Sequence, residues 1–261
     1  MAFSTQSWNR PRTIAAIFIV LTVLFAGDAL AQTKSTQQIQ QVWLGYFNQT
    51  RLSNHWGLWG DFHLRTREDF FSHFSTGIFR VGGTYYLDDD TRLTLGYAYI
   101  NHFPGDNHPG VSQPEHRPWQ QVQWLTRHPR LRLTQAIRME ERFRRKIQNP
   151  NTLADGYSFN FRFRYNLAAM FPLSKKRFQP GTLSLVLNDE LHVNFGKQVV
   201  NNYFDQNRFF AGVAYHINSR DQVQLGYLNV FQQLAAGNQY KNINAGRVFY
   251  FHNLDLRKKS S

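Results

Sequence analysis

The sequence predicts an all-β protein, a closed antiparallel transmembrane β-barrel of about twelve strands (ten as the second choice), preceded by a signal peptide. Three observations lead there. Segment after segment alternates apolar with polar residues, the N-terminus carries an export signal, and short connections alternate with long ones. In the clearest segment Leu131, Leu133, Ile137, Met139 and Phe143 alternate with Arg132, Thr134, Arg138, Glu140 and Arg142. Successive side chains of a strand point to opposite faces, so this strand has one oily face and one ionic face. A water-soluble sandwich buries the oily face. An outer-membrane barrel turns it to lipid and keeps the polar face inside.

The N-terminus selects between the two. Arg10 and Arg12 precede an apolar stretch from Ile14 to Ala26, followed by Ala29-Leu30-Ala31. A short positive region, a short apolar region and a small-x-small site form a secretory signal peptide. It spans residues 1–31, with cleavage before Gln32. The apolar stretch is shorter than the ~20 residues a spanning helix needs. No longer apolar run follows, which excludes a helical membrane protein. Residues 32–257 then form one barrel domain and 258–261 a basic tail. The expected address is the bacterial outer membrane.

Eleven runs read as strands, at 42–52, 56–67, 74–87, 92–103, 119–127, 131–143, 157–171, 182–194, 205–217, 222–233 and 247–256. Most exceed the ~5–6 residues of an average globular strand and suit the ~9–11 that cross a bilayer. Turns at 53–55, 88–90, 128–130 and 218–221 are short and polar. Connections at 104–114, 144–156, 195–204 and 234–246 are long and rich in Gly, Pro, Asn and His. Short turns on one rim and long loops on the other belong to outer-membrane barrels. Bacterial single-chain barrels have even strand numbers, so eleven runs imply one more hidden strand or one run that is a loop.

The alternation keeps its phase along the chain. Phe159, Phe161, Phe163 and Tyr165 oppose Asn160, Arg162 and Arg164; Leu183, Leu185 and Leu187 oppose Ser184, Asn188, Glu190 and His192. Leu58, Phe62 and Leu64 oppose Trp59, Asp61, His63 and Arg65. The polar members are assigned to the lumen, where arginine's fixed fork suits pairing with carboxylates. The expected lumen network comprises Glu115, Arg117, Arg138, Glu140, Arg142, Arg162, Arg164, Glu190 and Arg208. Gly82, Gly96, Gly212 and Gly226 relieve crowding or kink the sheet.

Composition agrees. The chain has no cysteine, hence no disulfide framework and no thiolate metal site. It holds 23 Phe and 12 Tyr, yet its mean hydropathy is −0.50. A barrel with one lipid face and one polar face reconciles the two. Most of the net charge of +13 stays with the mature chain, since the signal contributes only Arg10, Arg12 and Asp28. That charge suits loop and lumen arginines, or contact with anionic lipid. Export makes a nucleic-acid partner remote.

Several segments then resemble a known family. Glu115-His116-Arg117-Pro118-Trp119-Gln120-Gln121, Arg138-Met139-Glu140-Glu141-Arg142-Phe143 and Phe161-Arg162-Phe163-Arg164 are similar to the domain of unknown function 2490 family. So are Asn188-Asp189-Glu190, Phe204-Asp205-Gln206-Asn207-Arg208 and Gly226-Tyr227. The similarity runs from Trp43 to Leu256. The resemblance implies an exported outer-membrane-like barrel and no particular reaction.

No catalytic, cofactor or metal residue emerges. Ser184 and His192 share a strand face but lie ~26 Å apart, beyond the hydrogen-bond reach a nucleophile and its base require. No Gly-x-Ser-x-Gly elbow is present. His63, His102, His108, His116 and His128 are scattered without ligand spacing. The function expected is therefore a structural barrel, or a narrow pore for small polar or anionic solutes. A lipid-active hydrolase is the alternative, and a lipocalin-like binder with an apolar interior a lesser one. The partners expected are outer-membrane lipid and such solutes, with the oligomeric state left open.

Overall fold

The computed structural model describes residues 34–68, 70–105 and 108–257. The signal peptide expected over 1–31 and the basic tail 258–261 lie outside the described residues. Each of the eleven runs is a strand: β1 (Ser35–Arg51), β2 (Trp56–Thr66), β3 (Phe74–Tyr86), β4 (Thr91–His102), β5 (Gln113–His128), β6 (Leu131–Asn149), β7 (Thr152–Pro172), β8 (Thr182–Phe195), β9 (Phe204–His216), β10 (Asp221–Gln233) and β11 (Gln239–Asp255). Each pairs antiparallel with the next in sequence, and β1 pairs with β11 to close the barrel.

The count of twelve, or ten, is corrected to eleven among the described residues. A meander reverses direction at every step, so an odd number brings the first and last strands together parallel. That pairing runs the full length of both strands, from Ser35 opposite Gln239 to Arg51 opposite Asp255. The expectation of a wholly antiparallel barrel fails at this one seam. As a result, β1 starts at one rim and β11 ends at the other.

Loop lengths also differ from the sequence reading. β6 and β7 pair on past Phe143, through register shifts at Arg145/Ile147 and Ile147/Asn149, so only residues 150–151 connect them. The bulges break the alternation that would have revealed a strand there. Likewise β11 begins at Gln239, inside the expected loop 234–246. On the short-turn rim, 173–181 forms one long connection.

The assignment of faces follows the alternation. Arg138, Glu140 and Arg142 are buried inside the barrel, whereas Ile137 and Phe143 on the same strand are each 37% exposed. Leu44, Leu58, Phe62, Phe79, Leu95 and Phe209 are exposed on the outer wall of other strands. Polar groups on that wall are satisfied across strands: Gln120 donates to Glu141 at 3.0 Å, and Asn207 to Asp189 at 2.9 Å. The interior is not polar throughout, as the sequence suggested. Phe210, Ala214, Leu228, Val230, Ile243 and Ala245 form an apolar sector with Trp43 and Phe249.

Glycine makes room for the largest interior rings. A Cβ on Gly96 would lie 2.4 Å from the indole of Trp119, which is fully buried, and 2.6 Å from the Val81 carbonyl oxygen. Gly96→Ala is expected to destabilise the barrel by about 1–3 kcal/mol through overpacking. Gly83→Ala, where a Cβ meets nothing within 4 Å, should be close to neutral. Urea midpoints of the two variants in the same detergent check the difference, and equal midpoints would show that Trp119 does not need the gap.

Candidate functional site: the charged lumen

Register puts the charges opposite one another. Glu140 on β6 faces Arg162 on β7, Glu190 on β8 faces Arg208 on β9, and Asp61 on β2 faces Arg80 on β3. The contacts follow from these positions. Glu115 accepts from Arg117 Nε at 2.9 Å, Arg142 Nε at 2.8 Å and Arg144 Nε at 3.0 Å. Glu140 accepts from Arg162 Nε at 2.8 Å and Arg164 Nη1 at 2.7 Å. Arg117 Nη1 also lies 3.4 Å from Glu140 and so joins the two glutamates. Arg164 reaches on to Glu190 at 2.5 Å, and Arg208 lies 3.4 Å from the same carboxylate. Arg138 is 3.9 Å from Glu140, donates to Gln121 at 2.8 Å and covers the Trp119 ring at 4.1 Å.

All nine residues of the expected network thus belong to one connected set of contacts. Glu115 and Glu140 have no exposed side-chain surface. Charges this deep persist only when paired and hydrogen-bonded on most sides, and each glutamate here has several guanidinium partners.

The sequence reading omitted several members. Asp205 accepts from Arg162 at 2.9 Å, and the buried His192 lies 2.8 Å from Glu190. Simple alternation from Arg208 turns Asp205 outward. A register shift at His192/Val193 places Asp205 and Gln206 both inside. A second cluster, Asp61 with Arg80 at 2.8 Å and His63 at 3.0 Å, lies on the facing β2–β3 wall. Outside the wall, in the turn at 87–90, Arg51 donates to Asp89 at 2.6 Å and holds its carboxyl below the usual carboxylate range.

The structure also brings together a serine–histidine pair that the sequence did not indicate. Ser184 Oγ lies 2.9 Å from His216 Nε2 on the neighbouring strand. Ser184 is fully buried in the lumen wall. Among the described residues His216 has no carboxylate within 4.0 Å to orient it. Of the histidines weighed as metal ligands, His63 and His102 serve instead as partners of Asp61 and Glu115.

Two cavities flank the network among the described residues. One, of about 500 Å³, reaches the short-turn rim at Asp89, Asp90 and Asn253. The other, of about 760 Å³, reaches the opposite rim at Gly105, His108 and Ala235. Trp43, Arg65, Ile78, Arg117, Arg162 and Arg208 line both and form the septum between them. Four of those six are arginines. Arg117, Arg162 and Arg208 are paired with network carboxylates, whereas Arg65 has none within 4.0 Å among the described residues. The constriction therefore keeps an excess of positive charge, which favours an anion there over a cation.

The model of the family described as protein of unknown function, DUF2490, matches residues 40–241. No curated protein matches the chain. Among solved structures it is similar to the NanC porin, at 13% identity and a TM-score of 0.48, over 82% of this chain and 99% of that one.

Proposed function

We infer the role of this chain from one premise, that it belongs to the DUF2490 family of proteins of unknown function, and from the polarity of its wall. We propose that it is an outer-membrane barrel, exported by a cleaved signal, whose lumen is a narrow path for small anionic or polar solutes. The observation that carries the reading is the inversion of polarity across one strand: Arg138, Glu140 and Arg142 buried inside, Ile137 and Phe143 bare outside. Large apolar or aromatic side chains exposed on ten of the eleven strands call for an apolar solvent. The arginine-rich septum gives the path its preference for anions.

A lipid-active hydrolase has the Ser184–His216 pair in its favour. It is the weaker reading, because that pair faces the lumen rather than lipid and lacks an orienting acid among the described residues.

Fractionation and electrophysiology test the proposal together. The mature protein should begin at Gln32 and leave the outer-membrane fraction only with detergent. Recovery from the soluble periplasm would overturn the membrane assignment. In a planar bilayer under a potassium chloride gradient, the reversal potential should have the sign of chloride selectivity. A cation-selective or silent barrel would overturn the anion path.

A further inference from the structure

The cavity at the short-turn rim is asymmetric in a way that a path for small ions does not require. Eleven arginines but only three carboxylates, Asp89, Asp90 and Glu190, contribute to its lining. Asp89 and Asp90 are already engaged by Arg51 at 2.6 Å and Arg127 at 2.5 Å, and Glu190 belongs to the network. Arg65, Arg92, Arg132 and Arg247 have no carboxylate within 4.0 Å among the described residues. Nε of Arg65, Arg92 and Arg247 is buried without any hydrogen-bond partner. Buried donors in native structures are seldom left unsatisfied, and here three belong to one cavity.

The same cavity has an aromatic wall. Phe47 on β1 stacks with Phe251 on β11 at 4.7 Å, packs 5.1 Å from Phe249 and meets Trp59 on β2 edge-on at 6.5 Å. Two of the carboxylate-free arginines, Arg65 and Arg247, lie on aromatic rings on this side of the barrel. Arg247 lies over Phe249 at 4.6 Å and over Phe210 at 3.2 Å, and Arg65 lies over Trp43 at 3.6 Å. In a ring of eleven strands, the strands opposite β1 are β6 and β7, which bring Arg138, Arg164 and Asn166 to the cavity. A volume of about 500 Å³ is within the range of small-molecule sites.

We propose that this cavity is a binding site for an aromatic carboxylate. Its anionic group takes the spare guanidinium donors of Arg65 and Arg247, and its ring lies on the wall of Phe47, Phe249 and Phe251. This deepens the reading of the lumen as an anion path and rests on it, since the ligand must enter from water at the rim. Arginine supplies both halves of the recognition, because a guanidinium pairs bidentately with a carboxylate and stacks on an aromatic face.

The test uses the mature full-length protein in a non-ionic detergent, titrated calorimetrically with benzoate, acetate and benzyl alcohol. Benzoate should bind saturably at one site per barrel, and acetate and benzyl alcohol at least tenfold more weakly. Acetate binding as well as benzoate would reduce the site to a bare anion cluster and overturn the proposal. So would benzyl alcohol binding as well, or heat that grows with benzoate without saturating. Arg65→Gln with Arg247→Gln removes cations that hold no carboxylate, so no buried acid is orphaned, and benzoate affinity should fall at least tenfold. A second variant, Phe47→Leu, keeps every charge and should weaken benzoate without changing acetate. The bilayer measurement separates the two ideas. Saturable benzoate binding by a barrel without anion selectivity retains the site and discards the path. Anion selectivity without saturable benzoate binding does the reverse.

Discussion

Glu140→Ala is expected to cost the barrel about 3–5 kcal/mol, the range for removing one partner from a buried ion pair. The carboxylate holds Arg162 at 2.6 Å and Arg164 at 2.7 Å, with Arg117 at 3.4 Å and Arg138 at 3.9 Å. Without it, four guanidinium groups face one another across a vacated space. Arg162 keeps Asp205 and Arg164 keeps Glu190, so the loss is partial. Among the described residues Arg138 then keeps no carboxylate, only Gln121 and the Trp119 ring.

The adjacent residue supplies the control. Glu141 has the same chemistry and the same strand, but it faces outward and, among the described residues, holds only Gln120 at 3.0 Å. Glu141→Ala should shift stability by at most about 1 kcal/mol. Urea unfolding in identical detergent should therefore separate two neighbouring glutamates severalfold. The same Glu140→Ala variant should raise anion conductance, because it both loosens a lumen tie and adds net positive charge beside the septum. Equal midpoints for the two variants, with conductance unchanged, would remove the network as a structural element.

Much of this could be read from the sequence because a strand has a two-residue period. Once Ile137 is outward, Arg138, Glu140 and Arg142 must be inward, and the same rule carries Arg162, Arg164, Glu190 and Arg208. What the period cannot supply is register. That Glu140 lies opposite Arg162, and Asp61 opposite Arg80, depends on how far each hairpin slides. Bulges defeat the rule altogether. Asp205 follows a register shift and points in where alternation sends it out, and the β6–β7 hairpin hid behind two such shifts. The seam was illegible for another reason. Strand number constrains the first and last strands only through closure, which is a property of the whole sheet and of no local pattern. The apolar sector inside the wall escaped notice because Leu228 and Val230 alternate with Tyr227, Asn229 and Phe231, giving no clear polar phase. The Ser184–His216 pair escaped because its members lie 32 residues apart and meet only by pairing of β8 with β9.

Arginine at Ile137 should cost about 2–4 kcal/mol if that position lies at the bilayer midplane, and about 0–1 kcal/mol if it lies near an interface. Ile137 is 37% exposed between Val122 and Tyr165, outward-facing neighbours on the adjoining strands. In a protein surrounded by water, a charge at so open a position changes stability by no more than about 0.5 kcal/mol. The single substitution thus distinguishes a lipid-facing wall from a hydrated one, and a series along the strand distinguishes them further. Leu133, Ile137, Met139 and Phe143 share the outward phase at increasing distance from the turn at 129–130. Arginine placed at each in turn, with unfolding measured in lipid bilayers, should give a cost that rises to one maximum and falls away on both sides. The maximum marks the depth of the midplane relative to the charged network. A flat profile below about 0.5 kcal/mol at all four positions would mean that this wall meets water, and the outer-membrane assignment would fall with it.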